Sequence, residues 1–210
     1  LSRVETFYDA HAPHYEAKFR HPLLEGFKRC EEEAILAVLR ERMPPGGDVL
    51  ELGCGTGIFT EPVARWGCKI TAVDVSRGML DQLTARLARA GLTGVQVRKA
   101  DIEALALAGP YDAVFGVGLL EYVRDPGALL TRVAGALRPG GVAVFTAPRR
   151  SLNGGLYCAL SLARKRMLMR LFDQRELARL TRAAGLDLVA ISPAGTSLSG
   201  PLNSILVARR

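Results

Sequence analysis

Residues 49–60 read Val-Leu-Glu-Leu-Gly-Cys-Gly-Thr-Gly-Ile-Phe-Thr, with Gly53, Gly55 and Gly57 at every second position directly behind an apolar run. Val49 and Leu50 favour a buried strand, and alternate glycines permit positive φ and close approach of another molecule to the main chain before Ile58 and Phe59 resume a helical pattern. The stretch therefore predicts a strand, a turn that hugs a ligand, and a helix start. Glu51 at the strand end offers two acceptor oxygens to a cationic group of that ligand. A dinucleotide fingerprint needs glycine at the first, third and sixth positions, and the sixth position counted from Gly53 is Ile58. A P-loop needs Gly-Lys-Ser/Thr, and no lysine lies between Lys28 and Lys69.

Outward from this stretch, strand-like runs alternate with helical patterns. The strands are expected at Val49–Leu52, Ile70–Val73, Val95–Arg98, Tyr111–Val117 and Val142–Thr146, near-continuously apolar as in a parallel sheet covered on both faces. Helices are expected to fill the gaps. One is capped by Ser76 and buries Met79, Leu80, Leu83 and Leu87. Another opens with Asp125-Pro126 and buries Leu129, Leu130, Val133 and Leu137. Two N-terminal helices are expected at Ser2–Ala17 and Leu23–Arg42, the second carrying a core-facing stripe of Ile35, Val38 and Leu39 and ended by Pro44-Pro45-Gly46-Gly47. After a helix at Gln174–Ala184, the runs Leu186–Ser192 and Ser204–Ala208 are joined by a loop too short for a crossover, so they should pair antiparallel. The expected architecture is α/β, a Rossmann-like, mostly parallel sheet with helices on both faces and two extra N-terminal helices.

The 210 residues suit one domain, 1–210, with a core able to bury roughly 70% of the unfolded surface. No run reaches the about 18 apolar residues of a membrane span and no signal-peptide core is visible, which reads as cytoplasmic. Cys30, Cys54, Cys68 and Cys158 are scattered without a C-x-x-C pair, so no metal cage and no disulfide framework is expected. Residues 147–182 carry nine Lys and Arg against two Asp and Glu, a surplus that equals the whole formal charge of +7. Within it, Leu156, Tyr157, Leu160, Ala163, Met167 and Leu171 form an apolar stripe beside Arg164, Lys165, Arg166 and Arg170. That pattern is a cationic amphipathic helix, suited to an anionic membrane surface through residues 149–171 or to closing over a lipid-like ligand.

Ligands of open α/β sheets bind outside the carboxyl ends of the strands. Asp74, 21 residues after Gly53, ends strand two, where a carboxylate can take both hydroxyls of a ribose. Asp101-Ile102 ends strand three, and strand four leads into Gly116 and then Leu120-Glu121-Tyr122-Val123-Arg124-Asp125-Pro126.

On Glu51, Gly53, Gly55 and Gly57 the chain resembles the class I S-adenosylmethionine-dependent methyltransferases, whose first motif is E/D-x-G-x-G-x-G. The block Leu120–Pro126 is similar to the L-E-H-V-x-D-P block of ubiquinone-biosynthesis O-methyltransferases, with Tyr122 in place of histidine. Leu137-Arg138-Pro139-Gly140-Gly141 and the pattern Tyr8-Asp9-x-x-Ala12-x-x-Tyr15 add to the resemblance. It covers residues 45–147 well, and it implies seven strands in the order 3-2-1-4-5-7-6 with the last antiparallel. It also implies S-adenosylmethionine as cofactor and S-adenosylhomocysteine as product, held by Tyr15, Glu51, Gly53, Cys54, Gly55, Thr56, Gly57, Asp74, Val75, Met79, Asp101, Ile102, Gly116 and Leu120. Asp101 and Ile102 would meet the adenine, residues 1–44 would cover the cofactor, and residues 148–172 would be an acceptor-side insertion.

The expected reaction is methyl transfer to a small, hydrophobic or lipid-like acceptor at oxygen. An activated methyl group asks mainly for alignment at about 3 to 3.5 Å and for a base where the acceptor carries a proton. Glu121 is the first candidate base and Tyr122 the second, with His11 and His14 further candidates in the N-terminal cover. The D/N-P-P-Y/F motif of base-amino methylation is absent from Gly116-Val117-Gly118-Leu119, so no nucleic-acid partner is expected. The competing readings are a non-catalytic, cofactor-binding regulator on the same fold and an NAD-dependent oxidoreductase.

Overall fold

The computed structural model describes residues 3–15, 22–165, 169–194 and 200–210. Seven strands form one sheet: β1 (Asp48–Leu52), β2 (Lys69–Asp74), β3 (Val95–Lys99), β4 (Tyr111–Gly116), β5 (Leu137–Pro148), β6 (Asp187–Ala194) and β7 (Asn203–Arg209). Their order is β3-β2-β1-β4-β5-β7-β6. β1 to β5 run parallel, and β7 pairs antiparallel with both β5 and β6. The Rossmann-like arrangement with an antiparallel hairpin at its end is the expected one.

Side-chain alternation along the strands divides the core in two. Val49, Ile70, Phe115 and Val144 face one side, packed with Val63 of α3 (Thr60–Arg65), with Leu80, Leu83 and Leu87 of α4 (Arg77–Arg89) and with Ile35 and Leu39 of α2 (Pro22–Arg42). Leu50, Leu52, Val114 and Phe145 face the other, against Leu129, Leu130 and Val133 of α5 (Pro126–Ala136) and Leu177 of α7 (Gln174–Ala183). The expected caps are present: the Ser76 hydroxyl accepts from Met79 N at 3.1 Å, and the Asp125 carboxylate accepts from Ala128 N at 3.0 Å.

Three local readings are corrected. The first N-terminal helix is α1, Arg3–His11, followed by a 3-10 turn Ala12–His14, because Pro13 cannot continue an α-helical hydrogen-bond ladder. Its expected end, Glu16 and Ala17, lies outside the described residues. No helix fills the gap between β3 and β4: Asp101 O accepts from Ala104 N and Leu105 N, one turn forms, and residues 105–110 run irregularly into β4. The segment 100–110 ends Gly109-Pro110, and its one turn is instead anchored by Arg132 of α5, which donates to Ile102 O and Leu105 O at 2.9 Å. β5 begins earlier than expected. Its Pro139-Gly140-Gly141 turn is a bulge in the ladder, with Tyr111 opposite Leu137 and Ala113 opposite Val142. Arg138 in that bulge bridges Asp48 and Asp112 at the amino ends of β1 and β4.

The basic segment contains α6 (Leu152–Lys165). Met167 and Arg166 lie outside the described residues, and the expected stripe through Leu156, Tyr157, Leu160 and Ala163 with Arg164 and Lys165 lies outside the described side chains. The base of the segment is well defined: Arg149 bridges Phe172, Arg150 N donates to Phe172 O, and Phe172 N donates to Pro148 O. Among the described residues no helix is long and apolar enough to cross a membrane.

Candidate active site

The loop after β1 crosses the carboxyl edge of the sheet and folds back on β2, with Gly53 N and Cys54 N both donating to Val73 O. Two of its glycines are needed for different reasons. Gly57 (φ +86°) is packed against α4: a Cβ there would lie 2.3 Å from Leu83 Cδ1. Gly55 (φ +53°) has nothing within 4 Å of where its Cβ would be, and it lines an open cleft of about 210 Å³. The bare main chain at Gly55 is the cradle into which a flat or extended ligand can settle.

Asp74, at the end of β2, is almost wholly buried and borders the same cleft. Gly55 N donates to its Oδ2 at 2.9 Å and Ser76 N to its Oδ1 at 2.8 Å, so each oxygen is aimed while keeping a further lone pair for a ligand hydroxyl. Burial raises its carboxyl above the usual range, and these backbone donors pull it back.

Glu51 sits beneath the loop rather than on the cleft wall. It is 2% exposed, and the Thr60 hydroxyl donates to Oε2 at 2.6 Å. Burial, with Asp74 adding to it, pushes the carboxyl from 4.5 up to about 8 against the Thr60 hydrogen bond, so the group keeps its proton at neutral pH. The folded protein then holds a proton that the unfolded chain releases above pH 4.5, and stability should fall as pH climbs from there to about 8. The slope is at most about 1.4 kcal/mol per pH unit, and urea midpoints of Glu51→Gln should lack this component. Equal pH slopes for the two proteins would refute the assignment.

The N-terminal cover docks on the start of α4. Asp9 Oδ1 accepts from the Ser76 hydroxyl at 2.6 Å and from Gly78 N at 2.9 Å, which holds its carboxyl below the usual range. A carboxylate is favoured there by the exposed N–H groups and dipole of the helix N-terminus. Ser76 thus ties the cover to Asp74, accepting on neither bond but donating its hydroxyl to Asp9 and its main-chain N–H to Asp74. Gly78 lets the elements meet, since a Cβ on it would be 3.0 Å from Ala12 Cβ and 3.2 Å from Asp9 O. Gly78→Val is therefore expected to unseat the cover, seen as faster proteolysis ahead of α2 and faster release of a ligand held in the cleft. Unchanged cleavage and release would sink that reading.

From the seated cover, Tyr8 and Tyr15 reach the cleft, where Tyr8 meets Tyr122 edge-on at 6.0 Å between ring centres. Burial, reinforced by Tyr15, Tyr122 and Glu121, pushes the Tyr8 hydroxyl well up, so it remains a proton donor. Glu121 and Tyr122 lie on a 3-10 turn, Leu120–Tyr122, just past the end of β4. Glu121 is buried and borders the cleft, and its main-chain oxygen accepts from Arg170 N at 3.1 Å, which joins the base of the basic segment to the candidate base.

The cleft thus brings together Tyr15, Gly53, Cys54, Gly55, Thr56, Asp74, Val75, Met79, Ile102, Glu121 and Tyr122. The structure places the other expected residues off its wall. Gly57 packs on α4; Leu120 is in the core; Gly116 is wedged under Phe145; Asp101 is exposed and turns its carboxylate to Glu103 N at 2.9 Å. His11 and His14 are exposed and do not line the cleft; His11 stacks on Phe7 at 4.1 Å. Burial pushes the Cys54 thiol well up, which leaves it protonated and a poor nucleophile.

A family model described as a methyltransferase domain matches residues 24–191. The chain belongs to the S-adenosylmethionine-dependent methyltransferases. This methyltransferase is 36% identical over 121 residues to the ubiquinone biosynthesis O-methyltransferase of Caulobacter vibrioides, covering 57% of the chain and 46% of that protein. It is 32% identical over 152 residues to the protein of the same name from Nitrosospira multiformis, covering 68% of the chain and 63% of that protein. The chain therefore spans about half to two thirds of the length of these relatives. In fold it is similar to the magnesium protoporphyrin IX methyltransferase of Synechocystis with bound S-adenosylhomocysteine, with a TM-score of 0.79 at 14% identity over 99% of this chain and 98% of that one.

The residues present fit the family's cofactor: the main chain at Gly55 is bare toward the cleft, and the oxygens of Asp74, held from behind by Gly55 N and Ser76 N, border the same cleft. Sequence reasoning about this methyltransferase missed a further part of the cleft: Lys28, Glu31, Glu32 and Ile35 from α2, Thr146 from β5 and Asn203 from β7. The signal was the spacing i, i+3, i+4, i+7 continuing the Ile35–Leu39 stripe. Charged residues at that spacing read as a solvated face, and only the packing of α2 across the sheet turns them inward.

Proposed function

We propose that the protein transfers a methyl group to oxygen on a small, hydrophobic or lipid-like acceptor. The observation that carries this is the position of Glu121: a buried carboxylate on the cleft wall, beside Tyr122 and Tyr8, within the block that resembles the ubiquinone-biosynthesis O-methyltransferases. Bound S-adenosylmethionine supplies an electrophilic methyl carbon on its sulfonium. In this reading Asp74 takes the ribose hydroxyls, Ile102 and Met79 give apolar surface to the adenine, and the Gly53–Thr56 main chain borders the amino-acid end. Glu51, buried one layer below, supports the loop through Thr60. Glu121 accepts the acceptor's hydroxyl proton, Tyr122 and Tyr8 orient that hydroxyl, and the cover excludes water.

The test is transfer of a deuterated methyl group from labelled cofactor into lipid and metabolite extracts, followed by the same assay with Glu121→Ala. Methylated product at oxygen with turnover lowered about 10²- to 10⁴-fold in the variant supports the reading. Product at nitrogen, or full turnover by a variant that binds cofactor normally, overturns it. Residues 148–172 are the acceptor-side segment in this reading, and their charge suits contact with anionic lipid. Cosedimentation with anionic vesicles at low salt, lost when Arg149 and Arg150 are replaced by Ala, would support that contact. No vesicle binding would end it.

A further inference from the structure

The glycine loop after β1 is held from two sides, and only one of them faces the cleft. On the cleft side Gly55 N donates to Asp74. On the far side Arg86, in the last turn of α4, donates from Nε to Thr56 O at 3.0 Å, and its stem runs along the back of the loop, with Cδ 3.4 Å from where a Cβ on Gly57 would be. Nη1 of the same guanidinium donates to Glu61 Oε2 at 3.2 Å, and Glu61 gives its other oxygen to Arg65, whose Nε and Nη2 donate at 3.1 and 2.9 Å. The Arg65 hydrogen bonds, with that of Arg86 behind them and burial opposing both, hold the Glu61 carboxyl below the usual range, so it stays ionised at neutral pH. A half-exposed ion pair does little for a fold by itself. Arg86 differs through its third partner, because Thr56 is buried, borders the cleft and adjoins the bare main chain of Gly55. A guanidinium is planar and rigid, so anchoring Nη1 on Glu61 dictates the direction from which Nε meets the carbonyl, an aim that the flexible stem of a lysine does not provide. Glu61 lies in the first turn of α3 and Arg86 in the last turn of α4, so the pair brackets the loop between two helices that pack on the sheet through Val63 and Leu83.

We propose that Arg86 is a positioning residue for the cofactor: aimed by Glu61, it holds the Thr56 carbonyl from behind and so sets the Gly55–Thr56 main chain at the height that the amino-acid end of the cofactor needs. Arg86 touches no ligand in this arrangement and acts only through the loop. The proposal rests on the reading above in which this main chain borders the amino-acid end, and it adds the residues that shape that border from outside the cleft.

The experiment is calorimetric titration of the wild-type protein, Arg86→Met, Arg86→Lys and Glu61→Gln with S-adenosylhomocysteine and with 5′-methylthioadenosine, which lacks the amino-acid end. Arg86→Met should weaken S-adenosylhomocysteine about 5- to 30-fold, the scale of one lost hydrogen bond to a charged group, and leave 5′-methylthioadenosine within about twofold. Glu61→Gln should move the same ligand in the same direction by less. Arg86→Lys, which keeps the charge and loses the aim, should melt as the wild type does and recover only part of the affinity. Amide exchange at Gly55 should quicken in ligand-free Arg86→Met while β1 and β2 stay as protected as in the wild type, a readout that does not depend on the cofactor. Equal losses for both ligands would reduce Arg86 to a prop of the fold and overturn the proposal, as would an unchanged S-adenosylhomocysteine affinity in folded Arg86→Met. A wild-type protein that bound neither nucleoside would instead bring down the cofactor reading, and the proposal with it, whatever Arg86 did to the exchange of the loop.

Discussion

The Asp74→Ala variant is expected to lose about 10²- to 10⁴-fold in affinity for S-adenosylhomocysteine, the consequence of removing the two charge-assisted hydrogen bonds that the proposed function has it make to ribose hydroxyls. The expectation follows from the way the carboxylate is held. Gly55 N and Ser76 N fix both oxygens from behind, so the ligand meets an acceptor whose orientation has already been set. The same two N–H groups lose their partner in the variant, at a cost of about 1–3 kcal/mol each where they stay buried. That cost is offset in part, because burial disfavours the charge that alanine removes. Asp74→Asn separates the contributions: it keeps the volume and one acceptor oxygen but presents an NH2 to one of the backbone donors. Its affinity should fall between those of wild type and alanine. Calorimetry on variants shown by circular dichroism to be folded would decide, and a loss under tenfold for Asp74→Ala would remove Asp74 from the cofactor site.

Gly57→Ala should damage the fold rather than the ligand site. A Cβ at this position meets Leu83 at 2.3 Å inside the core, and φ is +86°. Overpacking of about 1–3 kcal/mol adds to a left-handed backbone penalty of about 1–2 kcal/mol. For a chain of this size the midpoint of thermal unfolding should drop by about 4 to 20 °C. Gly55→Ala pays only the backbone term, because its Cβ would enter open space, but that space is the cleft. The pair should therefore dissociate: Gly57→Ala with a lowered melting midpoint and near-normal affinity per folded molecule, Gly55→Ala with a small thermal shift and a marked loss of S-adenosylhomocysteine binding. Matched thermal shifts in the two variants would contradict the division of roles.

The strands and most helices were legible because each carries its own periodicity and cap. Val49 and Leu50 alternate into two cores, Ser76 and Asp125 sit where a cap must, and the breaker run from Pro44 to Gly47 closes α2. The missing β3–β4 helix was not legible, because its absence depends on Arg132 reaching from α5 to satisfy Ile102 O and Leu105 O. The extra length of β5 escaped for a related reason: Pro139-Gly140-Gly141 reads as a turn, and only pairing with β4 shows it to be a bulge within the ladder. At the site, single residues with special backbone or charge stood out, as Gly55 and Asp74 did. Groups defined by tertiary proximity did not, and the Glu31–Asn203 contact joins residues 172 positions apart.

The base of the basic segment has a meaning for how such a protein changes over time. Pro148, Arg149 and Arg150 are stapled by main-chain bonds to Phe172, and the neighbouring Arg170 N holds the carbonyl of Glu121. Between these stumps, exposed side chains of α6 such as Leu152 and Leu162 can be exchanged or recharged while both stumps keep their grip on the sheet and on the main chain of Glu121. A fold built this way can acquire a new clientele without reworking the machinery that serves it.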